Sequence, residues 1–303
     1  MIRKFVLLLG VALLCGFGCT RKPETLTIGI IKPSIDHLPL SYGLGKGWID
    51  KARFVTVPFS SGWELQEAMV GGRIDVGIIP FSYVWNLAGS GFPVKTVSFF
   101  ERETDGVLVQ KEILTSSDLN GKKVGMLKGS TLDVLWQDYA ASEGIVANPV
   151  YFRTPNEMIA GMQNGELSAA VLYVPLLNKL EKDYSVLHWF SEKHPLHPCC
   201  DLAVNTSRLS GHKEKLFRQF YFQLSSAVEK MDYSAEDFTS FMQDNYGLSG
   251  AELKDALLHT RFEMGLSESG KAFQRKMAII SLSSGYLEKM PDDNDVYWDI
   301  NAR

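Results

Sequence analysis

The sequence predicts an α/β protein built from two similar lobes that face one cleft, and three observations carry that prediction. The first is an internal echo. The segment 28–34 (Ile-Gly-Ile-Ile-Lys-Pro-Ser) returns at 124–130 (Val-Gly-Met-Leu-Lys-Gly-Ser), and 72–79 (Gly-Arg-Ile-Asp-Val-Gly-Ile-Ile) returns at 165–172 (Gly-Glu-Leu-Ser-Ala-Ala-Val-Leu). The copies lie about 95 residues apart, far longer than a solenoid unit, so they read as two whole α/β layers rather than repeats of one array. The second is the order inside each copy: a buried-type strand ending in Lys, Gly or Pro, and Ser, then a capped helix, then a second apolar strand. The third is that both copies carry polar loops after their strands. The carboxyl ends of strands in open α/β sheets are where ligands usually sit.

The bulk composition agrees. A chain of 303 residues with 45% hydrophobic content can fill two ordinary cores. With 22% charged residues nothing suggests bulk disorder. The formal charge of -4 becomes -6 without residues 1–18, because that stretch holds Arg3 and Lys4 and no acid. A mildly acidic chain without a basic stripe is a poor nucleic-acid binder, and no such partner is expected.

Residues 1–18 form a separate unit. Arg3 and Lys4 precede an apolar run over 5–14, then small residues and Cys19, the layout of a secretory signal peptide. Gly16-Phe17-Gly18-Cys19 is similar to a bacterial lipobox, departing from it where Leu or Val would replace Gly16 and a small residue Phe17. That similarity implies a lipid on Cys19, a tether over 19–25, and a chain exported to the periplasmic or outer cell-surface side and anchored to a membrane. No later apolar run is long enough to span a bilayer. Outside the signal the cysteines are Cys199 and Cys200, either a strained vicinal disulfide or two separate buried thiols. The run His194-Pro195-Leu196-His197-Pro198-Cys199-Cys200 holds N and S donors, but its spacing matches no zinc signature; neither a metal nor a cofactor is expected.

The elements follow in order. Residues 26–31 make a short apolar strand, 40–46 a helix and 53–57 an alternating strand. Ser61 caps the next helix, with Glu64 completing a capping box, and 74–79 form a buried strand. Strand 93–98 follows, and 104–110 crosses to the second lobe, where 122–127 is the first strand. Ser130 caps a helix with Asp133 in its first turn. Thr154, Pro155 and Glu157 combine N-cap, Pro at N1 and capping box; strand 169–172 comes next, and 202–205 is a strand near the return crossing. The final ninety or so residues are helical, with stripes at Leu216, Phe217, Phe220, Leu224 and at Phe273, Met277, Ile280, and caps at Ser234 and Ser249. The expected division is lobe 1 over 26–105 plus 207–303 and lobe 2 over 106–206, with the tail packed on lobe 1.

A cleft at the strand ends would be lined by Lys32, Asp36 and His37, by Ser60, Ser61, Gly62 and Trp63, and by Pro80, Phe81 and Ser82. From the second copy come Lys128, Gly129, Ser130, Thr131 and Tyr173. Several of these open helices, whose free N–H groups bind oxyanions, although Ser61 and Ser130 have a second reading as simple caps. The aromatics suit a planar organic ligand, with Trp85 and Trp136 assigned to the core. His37 could stack on or hydrogen-bond a ring, with Asp36 fixing its tautomer. No local nucleophile–base pair or catalytic carboxylate pair is evident, so no catalytic residue is assigned and no enzyme is expected.

The same segments carry a family resemblance. Asp36-His37-Leu38-Pro39-Leu40 with Gly45-Lys46-Gly47-Trp48, Ser60-Ser61-Gly62, the stretch 68–79, Gly91-Phe92-Pro93-Val94-Lys95 and 121–130 together resemble the substrate-binding proteins of ABC importers for nitrate, sulfonates, taurine and thiamine pyrimidines. The resemblance covers roughly residues 26–205 and fades in the tail. It implies a periplasmic-binding-protein fold of the second type, hinge closure on a ligand, a monomer, and an ABC permease and ATPase as partners. His37 matches a histidine of the pyrimidine-binding members. The resemblance therefore implies a pyrimidine-like or other heteroaromatic nutrient, with a sulfonate, taurine or nitrate oxyanion as the alternative. Enzymes of the same fold (thiamine-pyrimidine synthases, chorismate dehydratases) and a ligand-sensing lipoprotein remain further alternatives.

Overall fold

The computed structural model describes residues 24–300, so the signal segment and Cys19 lie outside the described residues. Strands β1 (Leu26–Ile31), β2 (Phe54–Phe59), β3 (Val76–Pro80) and β4 (Val94–Arg102) alternate with helices α1 (Leu38–Gly45), α2 (Gly62–Val70) and α3 (Phe81–Gly89). The chain then passes into β5 (Asp105–Val109), β6 (Lys123–Leu127), α4 (Thr131–Glu143), β7 (Asn148–Phe152), α5 (Pro155–Gln163), β8 (Ala169–Tyr173), α6 (Leu176–Leu180), β9 (Ser185–Trp189) and α7 (Phe190–Lys193). It returns through β10 (Pro198–Asn205) and ends in α8 (His212–Lys230), α9 (Glu236–Tyr246), α10 (Gly250–Leu258), β11 (Arg261–Gly265), α11 (Glu268–Ser283) and α12 (Asp293–Val296).

Two sheets result. One has the order β11-β4-β10-β3-β1-β2 and the other β7-β6-β8-β5-β9. The sequence echo is also a structural one. In the first sheet β1 lies between β2 and β3, parallel to both; in the second β6 lies likewise between β7 and β8. Gly29 pairs with Gly77 and Gly125 with Ala170, the same place in each copy. Both glycines are needed for close approach: a Cβ on Gly29 would stand 2.1 Å from Leu65 Cδ1, and one on Gly125 2.7 Å from Leu167 Cδ1. The helices are started by the expected caps. Ser61 and Ser130 accept from the N–H of Glu64 and Asp133, and Thr154 with Glu157 forms a full capping box. Ser234 behaves differently: its hydroxyl is drawn to Asp232 at 2.6 Å, and α9 opens one residue later from Ala235.

Three expectations are corrected. The return crossing does not follow residue 206, because β10 pairs antiparallel with β3 and β4 and so belongs to the first sheet. The tail is not wholly helical, since β11 pairs with β4 at the sheet edge. Nor does the tail pack on lobe 1 alone. His259, following α10, stacks on Trp189 of the second sheet at 3.7 Å, and Lys276 of α11 reaches Asp138 of α4 at 3.0 Å. Apolar faces on both sides of these helices are what lets them cover both lobes. Trp85 and Trp136 are core residues as expected. No helix among the described residues is long and apolar enough to cross a membrane.

Candidate functional site

The carboxyl ends of β1 and β3 and the starts of α2 and α3 face the ends of β6 and β8 and the start of α4 across a narrow cavity. Gly62 at the first turn of α2, and Thr131 and Leu132 at that of α4, reach it from opposite lobes. Backbone N–H groups in a first turn have no partner within the helix, so two sets of donors converge on one space. The hydroxyls there are mostly committed. Ser130 donates to the Leu127 carbonyl at 2.7 Å and Thr131 to the Cys199 carbonyl at 3.3 Å.

The floor comes from the two crossings between the sheets. Pro198 pairs with Arg102 and Cys200 with Glu101, so Cys199 is an extra residue in β10. Successive strand residues normally point to opposite faces; the bulge brings both thiols to the cavity. Both cysteines are free and buried. Asp36, Glu101 and Asp105 join them there. Among the described residues that line this cavity there is no lysine or arginine.

Hydrogen bonding distributes this charge. Asp36 Oδ1 is 2.8 Å from His37 Nδ1, and Asp105 Oδ2 is 3.3 Å from His197 Nε2. The Cys199 thiol donates to Asp105 at 3.3 Å and the Cys200 thiol to Asp36 at 3.7 Å. Glu101 accepts the Cys200 N–H at 3.2 Å through Oε2, while its Oε1 has no hydrogen-bond partner; nor has the Tyr173 hydroxyl. Burial, then the neighbouring Asp105 charge, pushes the Glu101 carboxyl well above the usual carboxylate range. Burial likewise raises the Tyr173 phenol. The Cys199 thiol is raised first by its hydrogen bond with Cys200 and the Cys200 thiol first by burial, so both are thiols rather than thiolates at neutral pH.

Of the residues expected in the cleft, Asp36, Ser61, Gly62, Pro80, Ser130, Thr131 and Tyr173 line the cavity. Trp63, Lys128 and Gly129 line a wider outer opening, together with Arg153 and Tyr286. The other five stand elsewhere. Lys32 is exposed, Ser60 binds Glu64 at 2.7 Å, Phe81 is buried against Phe273, and Ser82 is buried within α3. His37 is fully buried behind the wall, between Asp36 and the Tyr246 hydroxyl at 3.4 Å, and does not line the cavity. Ser34 and Tyr83, within the expected cleft loops 32–38 and 80–83, also line it, whereas sequence reasoning missed Glu101, Thr104, Asp105, Cys199 and Cys200. A signal existed for some of them: acids cluster at Glu101, Glu103 and Asp105, where the chain changes sheets.

Two sheets of repeated topology, two crossings and a cavity between facing strand ends define the periplasmic-binding-protein fold of the second type. Solved structures agree. The alkanesulfonate-binding protein SsuA from Xanthomonas axonopodis pv. citri, bound to MOPS, superposes with a TM-score of 0.79 at 19% identity over 91% of this chain and 99% of its own. The aliphatic sulphonate binding protein SsuA from Escherichia coli gives 0.73 at 22% identity over 91% and 98%, and the nitrate-binding protein NrtA from Synechocystis PCC 6803 gives 0.71 at 12% over 90% and 87%. In sequence, the chain is 26% identical over 161 residues to the taurine-binding periplasmic protein of Escherichia coli (strain K12). That match spans 45% of this chain and half the length of the relative. No family model matches the sequence. The chain thus resembles, in sequence and in fold, the substrate-binding proteins for nitrate, sulfonates and taurine.

Proposed function

We propose that this chain is the solute-binding component of an ABC importer of the sulfonate, taurine and nitrate type. It would be exported, held at the membrane through a lipid on Cys19, and would close its lobes on a small solute and present it to a permease and ATPase. It works by binding rather than catalysis. The observation that carries this reading is a cavity that both lobes line with strand ends and helix N-termini.

The cavity's chemistry narrows the solute. First-turn N–H groups at Gly62 and Thr131 suit a sulfonate, whereas Asp36 and Asp105 oppose a bare oxyanion and favour an ammonium or amino donor. A small zwitterion of the aminosulfonate class satisfies both ends, and taurine is its simplest member. An amino-substituted heteroaromatic is the second reading, favoured by the Tyr83 and Tyr173 rings beside Glu101.

Thermal melts of the chain with taurine, an alkanesulfonate, nitrate and an aminopyrimidine test this. A ligand at a hundred times its Kd adds about 2.7 kcal/mol. A shift with taurine exceeding that with the alkanesulfonate supports the zwitterion reading. Shifts with nitrate alone would overturn it, and a shift with the aminopyrimidine alone would restore the heteroaromatic reading.

A further inference from the structure

Glu101, Cys199 and Cys200 have more donors than the protein uses. The two thiol sulfurs and a Glu101 carboxylate oxygen lie within 4.8 Å of one another, and all three side chains are buried. Glu101 Oε1, wholly shielded from solvent, has no hydrogen-bond partner, and the Tyr173 hydroxyl on the same cavity has none either. A buried polar atom left unpaired costs about 1–3 kcal/mol, so a group that satisfies Oε1 is favoured there. Asp105 stands next in line, 3.3 Å from the Cys199 sulfur. It is backed by His197, whose Nδ1 donates to the His194 carbonyl at 2.8 Å and whose Nε2 faces the carboxylate. Among the described residues that line the cavity no lysine or arginine competes for these donors.

We propose that Cys199, Cys200 and Glu101 form a binding site for a thiophilic divalent cation of the zinc class at the floor of the cleft. Two sulfurs and one carboxylate make a three-donor set that leaves a fourth position open, suits such a cation and is too soft for magnesium or calcium. The bulge at Cys199 makes the set possible, because adjacent cysteines on a regular strand would diverge. Binding converts both thiols to thiolates and releases their protons. The inference departs from the metal-free expectation of the sequence. It also stands apart from the importer reading, since the cation would replace an ammonium as partner of the carboxylates and leave the N–H groups at Gly62 and Thr131 free for an oxyanion.

The test is a titration of the full chain, reduced, freed of metal with chelator and shown by thiol counting to hold its thiols, with Co²⁺, then Zn²⁺, and with Mg²⁺ as a hard-cation control. One equivalent of Co²⁺ should bind with a thiolate-to-cobalt charge-transfer band in the near ultraviolet, which Zn²⁺ bleaches and Mg²⁺ leaves alone. C199S and C200S should each diminish the band and weaken binding by at least about tenfold. E101Q, isosteric with the protonated carboxyl, should weaken binding similarly with its melting curve intact, and it carries the test if a serine variant fails to fold. Absence of the band in the reduced, folded chain would overturn the site, as would a band that C199S and C200S leave unchanged. A taurine shift that persists without metal would keep the importer reading whichever way the titration falls.

Discussion

The Leu196 N–H donates to Glu103 Oε1 at 2.6 Å, joining the two crossings between the sheets. Both residues hold the left-handed backbone, with φ of 59° and 70°, and they are the two non-glycine residues that do so among the described residues. Arg102 adds a second tie, donating to the Leu196 carbonyl at 2.8 Å. Left-handed backbone costs a side-chain-bearing residue about 1–2 kcal/mol, and it sits here where the chain passes between the two sheets. Leu196 is 56% exposed, so L196G gives up little burial. Urea denaturation should find L196G as stable as the parent or up to about 1 kcal/mol more so. E103A, which removes the acceptor, should lose about 1–2 kcal/mol. Equal losses in the two variants would refute a strained crossing held by this bond.

Asp138 on α4 is the convergence point for Lys193 at 2.9 Å, His194 at 2.7 Å and Lys276 at 3.0 Å, the last reaching across from the tail. Burial by itself would raise the carboxyl, but the hydrogen bonds from Lys193, His194 and Lys276 outweigh it and hold it well below the usual range. A depressed carboxyl contributes stability that is present above its unfolded value and lost as pH falls toward its folded one. D138N should therefore cost about 1 kcal/mol at pH 7. The gap to the parent should close as the pH is lowered below about 4. A gap that stays constant down to pH 2.5 would mean the carboxylate charge is not what matters.

Glu101 should behave in the opposite sense. Its folded carboxyl is raised by burial and by Asp105, whereas the unfolded one ionises near pH 4.3, so above that pH the unfolded state binds fewer protons. Stability then falls as pH rises toward the folded value. With chelator present, E101Q should be at least as stable as the parent at pH 7, its advantage growing in chemical denaturation as the pH rises above the unfolded value of about 4.3. A parent more stable than E101Q throughout that rise would show that Glu101 is ionised and paired.

Gly62 offers a way to close the cavity without touching its charges. A Cβ there would stand 2.6 Å from the Tyr83 ring and 3.1 Å from Pro80 Cδ, and all three residues line the cavity. Tyr83 is buried, so its ring yields mainly into the cavity. Isothermal titration should find G62A at least about tenfold weaker for the solute, with a stability loss of about 1–3 kcal/mol from overpacking. Unchanged affinity would place the solute elsewhere.

Much of the fold was legible because it is local. Residues 28–31 and 124–127 are apolar runs whose only reasonable state is a buried strand, and Ser61, Ser130 and Thr154 cap helices through bonds three residues away. The half of the site that follows from strand ends and helix starts was legible too: Asp36, Ser61, Gly62, Pro80, Ser130, Thr131 and Tyr173. Lys32, Ser60, Phe81 and Ser82 were misplaced by the same reasoning, because a loop's position does not say which way each side chain turns.

By itself, then, the sequence determined two copies of a strand–helix–strand unit and the loops that face each other between them, since periodicity and capping act over a few residues. Tertiary structure decided the rest. Nothing local in 198–205 says that this strand leaves the second lobe for the first sheet, because an apolar strand pairs equally well with several edges. Only that return sets Cys199 and Cys200 against Glu101, Asp105 and Asp36, residues far away along the chain whose meeting depends on a one-residue bulge. The burial of His37 and the charge of the cavity floor follow from the same long-range packing, which no window of sequence contains.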